Sequence, residues 1–148
     1  MIQIWGCQLS RKRKDRPIFL DKGWQPCQIL FCPSKEAWDY ALKRMKSTDP
    51  YPITTSWACV QRLEHVDGGL TIAVCVNDCV DSLDFGTQMS VLVHEAVHVW
   101  QFICKHTGIR KPDWETEAYS IQHITTELIQ AYMDTRGPDV EITRTTVD

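Results

Sequence analysis

Residues 90 to 104 read Ser-Val-Leu-Val-His-Glu-Ala-Val-His-Val-Trp-Gln-Phe-Ile-Cys, and Glu95 is their only formal charge. A run this apolar and too long for a strand is expected to form a helix with most of its circumference inside a domain. His94, Glu95 and His98 would then lie among apolar side chains, where they are costly unless they satisfy one another through a metal ion or a hydrogen-bond network. Gly108 is placed to stop the helix in a left-handed cap.

The spacing of the three polar residues narrows the choice. Residues four apart on a helix stand one above the other on the same face, so His94 and His98 can grip one ion between their imidazoles. Glu95 is turned by about 100° from His94, which sets its carboxylate beside such an ion, in reach of a water held there. Catalytic zinc commonly takes three protein ligands and keeps the fourth position for water, so a third ligand is expected.

Glu117 is the candidate. The segment from Trp114 to Tyr132 carries Trp114, Ala118, Ile121, Leu128 and Tyr132 at helical spacing, with Ile124 beside them, and Glu117 falls inside that stripe. Glu115, Glu127 and His123 are expected on the solvent side. A carboxylate on a buried face needs a cation or several donors. A metal held by the preceding helix would serve, and so would Lys105 or Arg110 as an ion-pair partner.

Histidine, glutamate, two residues, histidine and a glutamate on the next helix together resemble the gluzincin branch of the zincin metallopeptidases, over residues 85 to 135 at most. Within it, Glu115-Thr116-Glu117-Ala118-Tyr119 resembles the glutamate-alanine-aromatic stretch of small bacterial and phage peptidases of that type. The resemblance implies that His94, His98 and Glu117 bind Zn2+ and that Glu95 is the general base in hydrolysis of a protein or peptide substrate. No third histidine follows His98 at metzincin spacing, and the Met-Glu-Asn exopeptidase motif of large aminopeptidases is missing, so the implied activity is that of an endopeptidase. The oxyanion-stabilising His or Tyr of larger relatives has no recognisable counterpart, and Tyr119, His123, His106 and Tyr51 are the candidates. A zinc-stabilised regulatory or host-factor binding module that cuts nothing is the alternative. A regulatory peptidase confined to one folded partner, like the small gluzincin-like proteases that cleave repressors, is a third reading.

The remaining sequence is expected to build an α+β minimal zincin-like domain, with a small sheet and hairpin packed on the metal helix and the ligand-bearing helix following. A strand at Cys27 to Cys32 runs into Pro33, after which Ser34 can cap a helix from Lys35 to about Lys46 with Trp38, Ala41, Leu42 and Met45 on one face. Trp57 to His65 and Leu70 to Asn77 flank Asp67-Gly68-Gly69 as the arms of a hairpin, and Asp81 to Gly86 forms the loop into the metal helix. Gly137-Pro138 should end the last helix, leaving 138–148 as a flexible polar tail. The chain of 148 residues, with 43% hydrophobic content, reads as one domain. It shows no membrane-spanning run or secretory signal, so a cytoplasmic setting is expected.

Seven cysteines without a C-x-x-C pair are expected to be reduced core residues, although Cys75 with Cys79, or Cys27 with Cys32, could pair in an oxidising compartment. Trp24, Trp38 and Trp57 can fill the core or line an interface. The densest charge, Arg11, Lys12, Arg13, Lys14 and Arg16 around Asp15, offers a docking site for an acidic partner, but a net charge of −3 argues against nucleic acid. No phosphate loop, nucleophile elbow or dinucleotide fingerprint is present.

Overall fold

The computed structural model describes residues 13–21 and 23–136. A four-stranded mixed sheet forms the middle layer, built from β1 (Ile18–Phe19), β2 (Gln28–Cys32), β3 (Ala58–Glu64) and β4 (Leu70–Val76) in the order β1-β2-β4-β3. The helices are α1 (Lys35–Met45), α2 (Phe85–Thr107) and α3 (Trp114–Thr135), with a 3-10 turn over Asp78–Ser82 leading into α2. The chain is thus α+β as expected, with the two-residue β1 as an unanticipated edge.

Alternation along the strands sorts side chains between two cores. Ile29, Phe31, Ile72, Val74 and Val76 face α2 and α3, while Leu30, Cys32, Ala73 and Cys75 face α1 through Ala37, Trp38, Ala41 and Leu42. Because helices cover both faces, every residue of β4 is buried. β2 and β4 run parallel, and β4 pairs antiparallel with β3 through the expected hairpin, whose turn places Gly68 at φ +85°. Cys32, Cys75 and Cys59 fall in one row across β2, β4 and β3. No disulfide is formed among the described residues.

Helix ends follow their caps. Ser34 accepts from the Ala37 amide at 3.1 Å, Asp84 from Thr87 and Asp113 from Thr116 at 3.0 Å each, and Gly108 closes α2 at φ +75°. The last helix ends at Thr135 with Arg136 as its cap, so it stops before Gly137-Pro138, which lies with the expected tail outside the described residues.

Two expectations about helix faces are corrected. The buried line of α3 is Ser120, Ile124, Leu128, Ala131, Tyr132 and Thr135, whereas Trp114 is 86% exposed and Ala118 is also open to solvent. Glu127 and His123, expected on the solvent side, anchor the loop before β2: Glu127 Oε2 accepts from the Asp21 amide at 3.0 Å, and His123 Nε2 lies 3.0 Å from the Asp21 carbonyl. Among the described residues, no helix is long and apolar enough to cross a membrane.

At the far end of α3, Arg136 holds several elements together with a fully buried side chain. Its guanidinium donates to the carbonyls of Pro33, Val76 and Asn77 at 3.1, 2.9 and 2.9 Å, and to Asp81 Oδ1 at 3.0 Å. Tyr132 donates to the same Asp81 oxygen at 3.1 Å, and burial with that carboxylate pushes its hydroxyl pKa up to about 12. Replacing Arg136 by Met leaves three carbonyls without their donor and Asp81 with only Tyr132 and Lys14, so urea denaturation should show a loss of about 3 kcal/mol. Arg136→Lys should recover little, because an ammonium cannot reproduce the fork.

Candidate metal centre

His94 and His98 stand one turn apart on α2 with their Nε2 atoms 3.1 Å apart. At 3.1 Å the two rings are within hydrogen-bonding distance of each other, slightly closer than the roughly 3.3–3.4 Å that two zinc–nitrogen bonds of about 2.0–2.1 Å at a tetrahedral angle would span. His98 Nδ1 lies 2.9 Å from Gln101 Oε1. An Nδ1–H donating there fixes the ring and leaves the Nε2 lone pair facing His94, the orientation a metal-binding imidazole needs. Gln101 was not anticipated, although its place three residues after His98 on one helix face made it findable.

Glu95 lies on the inner side of the same turn and is only 5% exposed. Burial raises its carboxyl pKa, and the neighbouring His94 and His98 offset part of that rise. A carboxylate held this way is a better proton acceptor than an exposed one. The expectation that the histidines lie inside the domain with most of the helix is corrected: His94 and Val93 are exposed and His98 is half-buried, so the imidazole face opens to solvent while Glu95 backs onto the core.

What the imidazoles face is a groove between α2 and the edge strand β3. One cavity of about 350 Å3 is bounded by Trp57, Ala58, Ser90, Val91, His94 and Glu95. A second of about 340 Å3 continues past Cys59 and Val60 toward His98 and Phe102. The hairpin register shows which backbone groups are available here. His65 N bonds to Gly69 O and Asn77 N to Trp57 O, so the odd-numbered residues of β3 point their amides at β4. Ala58 and Val60 consequently turn their N–H and C=O groups to the open edge, alongside the histidines. The Cys59 thiol pKa is raised by burial and by the Glu95 charge.

Glu117 does not join this group. Among the described residues, no three His, Cys, Asp or Glu side chains converge closely enough to hold a metal ion. Glu117 is half-buried where α3 packs on α2, and its Oε1 accepts from the Trp100 indole at 3.2 Å. Neither Lys105 nor Arg110 is its partner. The indole bond is a contact between two helices that no local spacing announces.

The oxyanion candidates lie elsewhere. Tyr119 is 67% exposed beside a separate pocket with Trp24 and His123, His123 is turned to the Asp21 carbonyl, Tyr51 packs against Trp38 on the α1 face, and His106 is exposed in the last turn of α2. The described part of the basic run is largely engaged. Arg13 and Arg16 pair with Asp15, Arg16 also lies 4.1 Å from the Tyr40 ring centroid, and Lys14 bridges to Asp78 at 3.0 Å. Arg11 and Lys12 fall outside the described residues. Of the three tryptophans, Trp38 is fully buried, while Trp24 and Trp57 are 55% and 48% exposed.

No protein-family model, curated protein or solved structure matches the chain. Because His94 is exposed, His94→Ala should change the unfolding free energy in chelator-treated protein by less than about 0.5 kcal/mol. Chemical denaturation checks this, and a loss near 2 kcal/mol would mean that the imidazole supports the fold without a metal.

Proposed function

We propose that this chain is a zinc-dependent endopeptidase in which His94 and His98 hold the metal and Glu95 is the general base, with Glu117, expected as the third ligand, engaged by the Trp100 indole instead. The observation that carries the reading is the meeting of His94 and His98, at an Nε2 separation of 3.1 Å, with a buried Glu95 and the unpaired edge of β3 in one groove. The resemblance of residues 85 to 135 to gluzincins points the same way.

A zinc ion at the histidine pair would polarise a substrate carbonyl and acidify a water molecule, chemistry that no side chain in the groove supplies. Glu95 would take a proton from the attacking water and pass it to the departing amine, a role suited to a carboxyl whose pKa burial has raised. Ala58 and Val60 hold the substrate backbone in extended form, adding a strand to the sheet and presenting the scissile carbonyl to the histidines. Trp57 and Val91 offer apolar surface to a neighbouring substrate side chain. Gln101 keeps the His98 ring turned for binding.

The second reading, a zinc-stabilised binding module, draws on the oxyanion candidates, all four of which are placed outside the groove. The two readings part at Glu95, which a binding module does not use. Glu95→Gln should keep zinc and fold yet lower peptide hydrolysis about a thousandfold, and undiminished turnover in that variant would end the base assignment. Val60→Pro removes an edge N–H that β4 does not use, so the protein should still fold. Its KM for an extended peptide should rise about tenfold with kcat little changed, whereas an unaltered KM would show that the substrate does not pair with β3.

A further inference from the structure

A second concavity lies where the loop before β2 meets the first turns of α3, and it shares no residue with the histidine groove. Trp24, Gln25, Glu115, Tyr119, Ser120 and His123 bound it, and it encloses about 340 Å3, within the range of about 300–1,000 Å3 common for small-molecule sites. The loop is clamped to the helix. His123 and Glu127 hold Asp21, and Gly23 turns at φ +59°, where a Cβ would lie 3.4 Å from the His123 ring. Trp24 then donates from Nε1 to Ser120 Oγ at 3.2 Å and meets the buried Trp100 edge to face, with centroids 6.0 Å apart and planes at 72°. Its ring is therefore fixed although it is 55% exposed, and Tyr119 on the same cavity is 67% exposed.

Gln25 is the member that the fold does not explain. It is only 3% exposed, yet its amide nitrogen is buried without a hydrogen-bond partner among the described residues. An orphan donor is costly and uncommon in folded proteins, and this one belongs to the wall of a cavity. The other polar walls are acceptors. Glu115 brings a carboxylate, and His123, whose Nε2 faces the Asp21 carbonyl and so carries the proton in the neutral ring, keeps Nδ1 as an acceptor. An anionic ligand would satisfy Gln25 but be repelled by Glu115. A cation would suit Glu115 and the rings but leave Gln25 orphaned. A hydroxyl both accepts and donates, and a sugar ring also turns C–H groups toward an aromatic face, whose negative π cloud attracts their hydrogens. We propose that this cavity binds a neutral saccharide unit, stacked on Trp24 and Tyr119, with one oxygen accepting from Gln25 and hydroxyls donating to Glu115 and His123. The inference stands apart from the zinc reading and needs no metal.

The test is saturation-transfer NMR on the full chain with the methyl glycosides of glucose, galactose, mannose and N-acetylglucosamine, one at a time, and with arginine and acetate as charged comparisons. At least one glycoside should receive saturation from the protein, and neither charged compound should. Tyr119→Ala should weaken that glycoside about tenfold through loss of a stacking face. Gln25→Leu should weaken it by about as much and yet melt no lower than the wild type, because the leucine removes a buried donor that nothing satisfies. A Gln25→Leu protein that melts well below the wild type would show the amide to be structural and overturn its role, and Tyr119→Ala, at an exposed position, would still decide whether the sugar sits here. Silence from all four glycosides, transfer to arginine or acetate alone, or a glycoside whose affinity neither substitution alters would overturn the proposal.

Discussion

The Arg136 guanidinium is the constraint on which the arrangement of helices and sheet depends. It is buried without a neutral alternative, so its donors must all find acceptors, and they do so at the carboxyl ends of β2 and β4 and on the turn that leads into α2. One side chain thereby fixes where α3 ends, where the 3-10 turn lies and how the strand ends are spaced. The other end of α3 is held by weaker, neutral donors, the Trp24 and Trp100 indoles, on Ser120 and Glu117. Between these clamps the helix lies along α2, with Ile124 and Leu128 fully buried in the shared core, each contributing about 1.5–3 kcal/mol by burial.

This layout explains the division of labour on α2. The helix is one layer of a sandwich and has one face free, so the histidines reach solvent while Glu95, one residue on, turns to the core. The same rotation of about 100° that separates His94 from Glu95 on the helix separates exposed from buried in space. Leu92, Ala96, Val99 and Ile103 pack against the sheet and keep that rotation from drifting.

Much of the architecture was legible because it rests on local rules. The Ser34 cap, the Gly108 stop, the Asp67-Gly68-Gly69 turn and the two-residue alternation of β4 each state their conformation within a few residues. The two histidines did as well, since helical periodicity alone brings them together. What escaped depends on contacts distant in the chain. Trp114 was placed on the buried stripe by its hydrophobicity, yet it sits at the first turn of α3, before the helix reaches the core, and is exposed. Glu127 and His123 looked solvent-facing until the loop at Asp21 was seen to fold over them. Arg136 drew no attention in the sequence, because nothing near it there shows that strand ends and Asp81 converge on it. The Trp100 bond to Glu117 belongs to the same class.

The open edge of β3 carries a cost of a different kind. An unpaired strand that can accept a peptide can also accept the same strand from another copy of the protein, which is how sheets grow into aggregates. Here the exposure is short. Beyond Val60 the outward-turned residues are Arg62, which pairs with Glu64 at 2.8 Å and lies 5.7 Å from the Phe102 ring centroid, and then Glu64 itself. A second β3 pairing antiparallel along the whole edge would have to accommodate these charges, whereas a short peptide confined to Ala58 and Val60 would not. The charged half of the strand thus limits self-association and leaves the uncharged half open.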